Sequence, residues 1–121
     1  AKLPEIAGKA ALENTFFSSL YSPDDTSDLN KEFVAEYKKA YNTNPDVFAA
    51  LAYDSALLVA KAIEDAGSAD PAKIAEAMAK IKGFKGVSGE VTFNEQHNPI
   101  KSAVIIEHKD GKQTFKTKVN P

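Results

Sequence analysis

The 121-residue chain contains no cysteine, which excludes a disulfide frame, a thiolate nucleophile and a cysteine-based zinc site. No apolar run approaches the ~20 residues that a membrane-crossing helix requires. Net charge is slight, at -2, so there is no electrostatic reason to expect nucleic acid, whose phosphate backbone selects clustered Lys and Arg. There is no internal repeat and no low-complexity tract. Residues 1–8 lack the charged and apolar regions of a signal peptide, so any export signal is expected outside this sequence.

What is present is the balance of a globular domain, 43% hydrophobic and 26% charged residues, in a length that supports one ordinary core. The tail is locally basic. Lys112, Lys116 and Lys118 alternate with Thr114 and Thr117, which reads as the wet face of a strand.

Hydrophobic spacing orders the chain into one strand, three helices and further strands, after a short opening helix. Leu3, Ile6, Ala7, Ala10 and Ala11 predict a surface helix before Glu13, with Pro4 in its first turn. Thr15 to Leu20 reads as a strand entering a polar loop at Ser22, Pro23, Asp24 and Asp25, whose carboxylates serve solvation. From Asn30 to Tyr41, the stripe Phe33, Val34, Tyr37 and Tyr41 predicts an amphipathic helix. A second helix is expected from Asn44, with Pro45 at its first position, to a Gly67 stop. Its low polarity predicts substantial burial. Asp70 and Pro71 start a third, with Ile74, Ala77, Met78 and Ile81 as its apolar face and Gly83 as its end. After Gly86 and Gly89 the period becomes two, with Val91 and Phe93 against Glu90 and Thr92. Ala103 to Ile106 and Gln113 to Val119, joined at Asp110 and Gly111, predict a hairpin.

Chemistry-bearing spacings are scarce. His97 and His108 are on different predicted elements and match neither a helical nor a finger-type metal pattern, so both read as surface residues and no metal is assigned. Ser88 sits between Val87 and Gly89 but lacks the glycine two residues earlier that a nucleophile elbow needs, and a strand follows where a helix should. Gly83, Gly86 and Gly89 lead into a strand, unlike a phosphate-binding fingerprint, and read as turn residues. Asp54 is a general base only if it lines a cleft; otherwise it is a solvent-side helix residue or caps a neighbouring element. No catalytic residue and no cofactor are assigned.

Several strings, taken in order, resemble one family. They are Ile6, Ala7, Gly8; the helix carrying Phe33 and Tyr37; Pro45 with Phe48 to Ala56 around Ala52, Tyr53, Asp54; Ala66, Gly67, Ser68; Asp70, Pro71; and Gly86, Val87, Ser88, Gly89 leading to Thr92, Phe93, Asn94. The chain resembles the C-terminal third of leucine, isoleucine and valine binding proteins of ABC importers, which have the type I periplasmic-binding-protein fold. The resemblance implies an α/β architecture of partial lobes, with helices packed on a mixed sheet and a C-terminal β-hairpin. It assigns residues 24–97 to a first lobe, and residues 1–20 and 102–121 to a second. Crossings are expected near Leu20 and Tyr21, up to Pro23, and near Asn98 and Pro99, up to Lys101.

By the same resemblance the ligand is a branched-chain or similar amino acid, the partner is an ABC permease, and the location is periplasmic or extracellular, with a lipoprotein anchor as one form. The groups that hold the ligand's carboxylate and ammonium belong to earlier parts of such proteins. Phe48 is the position carried over, as an apolar wall beside an aliphatic side chain; packing of Phe48 in the core is the other reading. Helix faces and a sheet edge without their covering strands predict self-association. Two other functions stay open. One is a ligand-sensing receptor or regulatory domain of the same fold, taking an amide, an aromatic acid or a peptide. The other is a small hydrolase using Asp54, His97 and Glu107, which no spacing brings together.

Overall fold

Polar and glycine punctuation divides the chain into eleven elements. In the computed structural model, which describes residues 3–121, they run α1 (Leu3–Ala7), α2 (Lys9–Leu12), β1 (Phe16–Ser19), α3 (Asp28–Tyr41), α4 (Val47–Ala66), α5 (Pro71–Ala79), β2 (Phe84–Gly86), β3 (Gly89–Phe93), β4 (Pro99–Lys101), β5 (Ala103–Lys109) and β6 (Lys112–Val119). Ala1 and Lys2, the start of the segment assigned to the second lobe, lie outside the described residues.

Helix boundaries follow capping chemistry. Asp46 accepts from the Ala49 amide at the start of α4, and Asp70 from the amides of Ala72 and Lys73 at the start of α5. Both carboxylates satisfy donors that the first turn leaves free. Asn42 and Gly67 end α3 and α4 in the left-handed conformation.

Three helix expectations need correction. The single opening helix is two, because Gly8 at φ 80° breaks it. α4 begins at Val47 rather than Asn44, since Asp46 takes the cap and leaves buried Pro45 just outside. α5 stops at Ala79, and Ile81, expected on its face, is buried in the core as the chain leaves the helix.

The α/β architecture stands, with its strands in two antiparallel sheets instead of one mixed sheet. A terminal sheet has order β1-β5-β6, and a small sheet has order β2-β3-β4. Short turns connect β2 to β3, β3 to β4 and β5 to β6, and such turns can only reverse the chain; parallel pairing needs a longer crossover. Strands β2 and β4 were not anticipated, and β4 occupies Pro99–Lys101, where a crossing was expected. The expected hairpin is present, turning at Asp110 (φ 51°) and Gly111 (φ 72°), the paired positive angles that match strand twist.

Two apolar clusters hold the helices on the small sheet. Tyr21, Phe33, Ala50 and Val87 form one, with Tyr37 and Val47 packed against it. Leu58, Ala62 and Ile81 form the other, with Ile74, Ala77, Met78, Phe84 and Phe93 around it. Met78 fills that core as expected.

The predicted burial of α4 is wrong in extent. Only Ala50, Asp54, Leu58 and Ala62 are buried, while Phe48, Tyr53, Leu57, Val59 and Ile63 are exposed. Tyr53, whose ring lies 4.8 Å from that of Phe33, and Leu57 stay partly open on the flank beside α3, while Phe48, Val59 and Ile63 face outward on the other side.

A bulge sets the final strand. Ile105 pairs with Thr117 but Ile106 pairs with Phe115, leaving Lys116 as the extra residue. The shift puts Lys118 opposite buried Val104, on the inner face. The wet-face reading therefore holds for exposed Lys112 and Lys116 but not for Lys118. Deleting Lys116 removes the bulge while Thr117 and Lys118 keep their partners Ile105 and Val104, so Lys118 should stay on the inner face and urea denaturation should show a stability change of about 1 kcal/mol or less.

Candidate functional site

Asp54 lies midway along α4 and is 3% exposed. Its Oδ1 accepts from the Val87 amide at 2.7 Å, and its Oδ2 accepts from the Ser88 amide at 2.9 Å and from the Ser88 hydroxyl. Lys101, the last residue of β4, donates to Ser88 Oγ at 2.7 Å. Hydrogen bonds to a charged group contribute about 1.5–3 kcal/mol each, so this carboxylate binds the β2–β3 turn firmly to α4. Gly86 is required beside it, since a Cβ there would stand 2.5 Å from Asp54 Oδ2. Of the alternatives for Asp54, the structure gives the cap of a neighbouring element.

Lys101 is held below its ordinary pKa, first by burial and then by Lys118, with Asp54 opposing. Lys118 in turn pairs with Asp25, in the loop that follows β1. Asp25 is 9% exposed and accepts from the Ser27 amide at 2.9 Å, which corrects its reading as a solvated loop residue. Burial raises its pKa, but Lys118 and Ser27 outweigh burial and the net shift is downward. The loop is fixed from the helix side by Asn30, fully buried, whose amide donates to the carbonyls of Ser22, Pro23 and Asp25 at 3.3, 3.2 and 2.8 Å.

Tyr21 occupies the passage from β1 to this loop. It is 4% exposed and its hydroxyl has no hydrogen-bond partner. Burial, followed by the charges of Asp25, Asp24 and Asp54, pushes its pKa upward, so it stays a neutral phenol. Leu20 beside it is exposed. On the return path, Asn98 closes the β3–β4 turn by donating to Asn94 Oδ1, and Pro99 opens β4. Both therefore sit on the small sheet, and Ser102, 6% exposed, is the residue between the two sheets.

Phe48 stands on the first turn of α4 and is 77% exposed, so it does not pack in the core. Its neighbours Val47 and Ala50 pack against the cluster that contains Tyr21. An apolar ring is thereby held on a rigid helix beside the passage between the sheets.

The three groups weighed for hydrolysis are not assembled. Asp54 is committed to the β2–β3 turn, His97 is exposed in the β3–β4 turn, and Glu107 pairs with Lys116 on the terminal sheet. His108, expected at the surface, is buried between Thr15 Oγ1 at 3.0 Å and Gln113 Nε2 at 3.3 Å. Among the described residues no group of His, Asp and Glu is arranged to hold a metal ion. The resemblance marked Phe48, Tyr21 and, as the end of a crossing, Lys101, but nothing in the sequence marked Asp25 and Lys118 as partners; isolated charges give no periodic signal of pairing.

Asp54→Ala should cost about 3 kcal/mol or more, because it strands two buried amides, and Gly86→Ala about 1–3 kcal/mol through the clash; chemical denaturation measures both. Tyr21→Phe removes an unsatisfied polar atom and should leave stability unchanged or raised. Because the folded pKa of Asp25 is depressed, its contribution is complete above roughly pH 4 and is lost as pH falls through the folded value. Thermal melts of Asp25→Asn should show a correspondingly flatter acid limb.

Residues 2–113 match the periplasmic binding protein family. A leucine-, isoleucine-, valine-, threonine- and alanine-binding protein of Pseudomonas aeruginosa is 31% identical over 118 residues, covering 94% of this chain and 30% of that protein. Among solved structures, a leucine binding protein of Thermotoga maritima superposes with TM-score 0.85 at 39% identity, over 99% of this chain and 34% of the other. A solute binding protein of an R. palustris ABC transporter, in complex with benzoate, gives TM-score 0.77 at 27% identity, over 98% and 33%. The chain thus spans about a third of the length of the proteins it resembles. The extent of the match, and a fold shared over nearly every residue, show that this chain belongs to the periplasmic binding protein family.

Proposed function

We propose that this chain is part of the substrate-binding component of an ABC importer, working in the periplasm or outside the cell and delivering a branched-chain or similar amino acid to a membrane permease. The observation that carries the reading is Phe48, 77% exposed on a helix anchored beside the passage between the two sheets. In a family of ligand-capturing proteins, an apolar ring in that position suits an aliphatic side chain. The similarity to leucine binding proteins supports the same substrate class.

In this reading the small sheet with α3, α4 and α5 belongs to one lobe, and the terminal sheet to the other. The chain bends at residues 20–23 and at Ser102. Ligand favours closure by binding the closed arrangement better than the open one. The benzoate complex of a similar protein gives one rival substrate class, an aromatic acid, which Phe48 would also accept.

Calorimetric titration of leucine, isoleucine, valine and benzoate into the full-length protein that carries this chain tests the reading. A branched-chain amino acid should bind, and Phe48→Ala should weaken it about tenfold, the equivalent of about 1.4 kcal/mol. Binding of benzoate alone transfers the assignment to aromatic acids, and unchanged affinity in the variant removes Phe48 from the site. The outward apolar side of α4, with Phe48, Val59 and Ile63 exposed, supports self-association of the isolated chain. Sedimentation velocity should show mass increasing with concentration; a compact monomer throughout counts against it.

A further inference from the structure

We infer that the Lys118–Asp25 ion pair is a latch that sets the angle between the terminal sheet and the α4-bearing half, with Ser102 as the pivot. The inference rests on the two-lobed reading above. Four observations carry it.

First, the pair joins the two halves. Lys118 is near the end of β6 in the terminal sheet, whereas Asp25 is in the loop that Asn30 of α3 holds by three hydrogen bonds. Second, the pair is largely withdrawn from water, with side-chain exposures of 31% for Lys118 and 10% for Asp25, so it is screened less than a surface pair. Third, the other side of the junction is rigid. β4 is paired to β3, and its last residue, Lys101, donates to Ser88, which Asp54 fixes to α4. Rotation is thereby excluded from β4 and left, on this passage, to Ser102, the one residue between β4 and β5, and on the other to residues 20–23.

The fourth observation gives the latch two directions. Lys118 pairs with an attractive carboxylate, Asp25, and stands opposite Val104, three residues along from Lys101, whose like charge opposes its own. With Asp25 present the terminal sheet is drawn to one orientation; with Asp25 neutral or absent, repulsion from Lys101 favours turning away. A small local change in charge balance thus biases a hinge that has little else to hold it.

The chain has no cysteine, so Ala72→Cys on α5 and Lys112→Cys on β6, both exposed, accept spin labels uniquely. Pulsed dipolar spectroscopy on the doubly labelled chain, diluted into excess unlabelled chain so that only distances within one copy are read, should give one narrow distance distribution. Lys118→Met should widen it roughly twofold or add a second population, and Asp25→Asn should do the same. Lys116→Met, which removes a pair lying within the terminal sheet, should leave it unchanged. The exchange Asp25→Lys with Lys118→Asp restores the pair with its charges reversed and sets a carboxylate near Lys101, so it should return the distribution to that of the parent. A distribution like that of the parent in Lys118→Met or Asp25→Asn, with native circular dichroism, overturns the inference. So does loss of folding in both, which would make the pair a requirement for folding instead of orientation. The distance is read without ligand, so a failed titration with amino acids leaves this result standing.

Discussion

The buried carboxylate of Asp54 is the constraint on which the helical half of the molecule depends. A charge in an apolar interior is tolerated only when donors surround it, and here they come from the backbone of the β2–β3 turn and, through Ser88, from Lys101. Ala50 and Leu58 lie one turn to either side of Asp54 on α4, and each belongs to a different apolar cluster. Holding the turn against the helix at this point places Val87 in the first cluster and carries Phe84 and Phe93 to the second. The polar clamp supplies register, and the apolar clusters supply the bulk of the burial.

The two halves are joined differently from the way each is held together. Within the helical half, α4 and α5 share a core and the small sheet is pinned to α4. Between the halves, among the described residues, the chain passes twice and the partly buried Lys118–Asp25 pair bridges them. Rigid bodies with a weakly biased junction move as units. Phe48 gains nothing from the core and keeps its ring outward on the first turn of α4.

Much of this was legible in the residues, and the reasons are local. Asp70 with Pro71, and Asp110 with Gly111, announce a helix start and a two-residue reversal through capping and backbone angles that need no distant partner. Phe33 and Tyr37 reveal the inner face of α3 by their spacing. Less was legible at the candidate site. Phe48 and Tyr21 were marked by resemblance, while Asp25 looked like loop solvation and Lys118 like part of a wet face. One unpaired residue, Lys116, reverses which face Lys118 takes, and no count of alternation reveals a bulge that pairing alone creates. Burial of α4 was overread for the converse reason: apolarity measures what a helix can bury, not what is present to cover it.

The sequence by itself determined the class of the fold, the order and approximate limits of the helices, the terminal hairpin and the family, because all of these rest on neighbouring residues or on their order along the chain. Only the tertiary structure decided that Asp54 caps a turn more than thirty residues away, that the strands form two antiparallel sheets, and that Lys118 reaches Asp25 across the junction. Those outcomes depend on which distant groups can satisfy a buried charge, and a carboxylate shows the same side chain whether water or a folded backbone surrounds it.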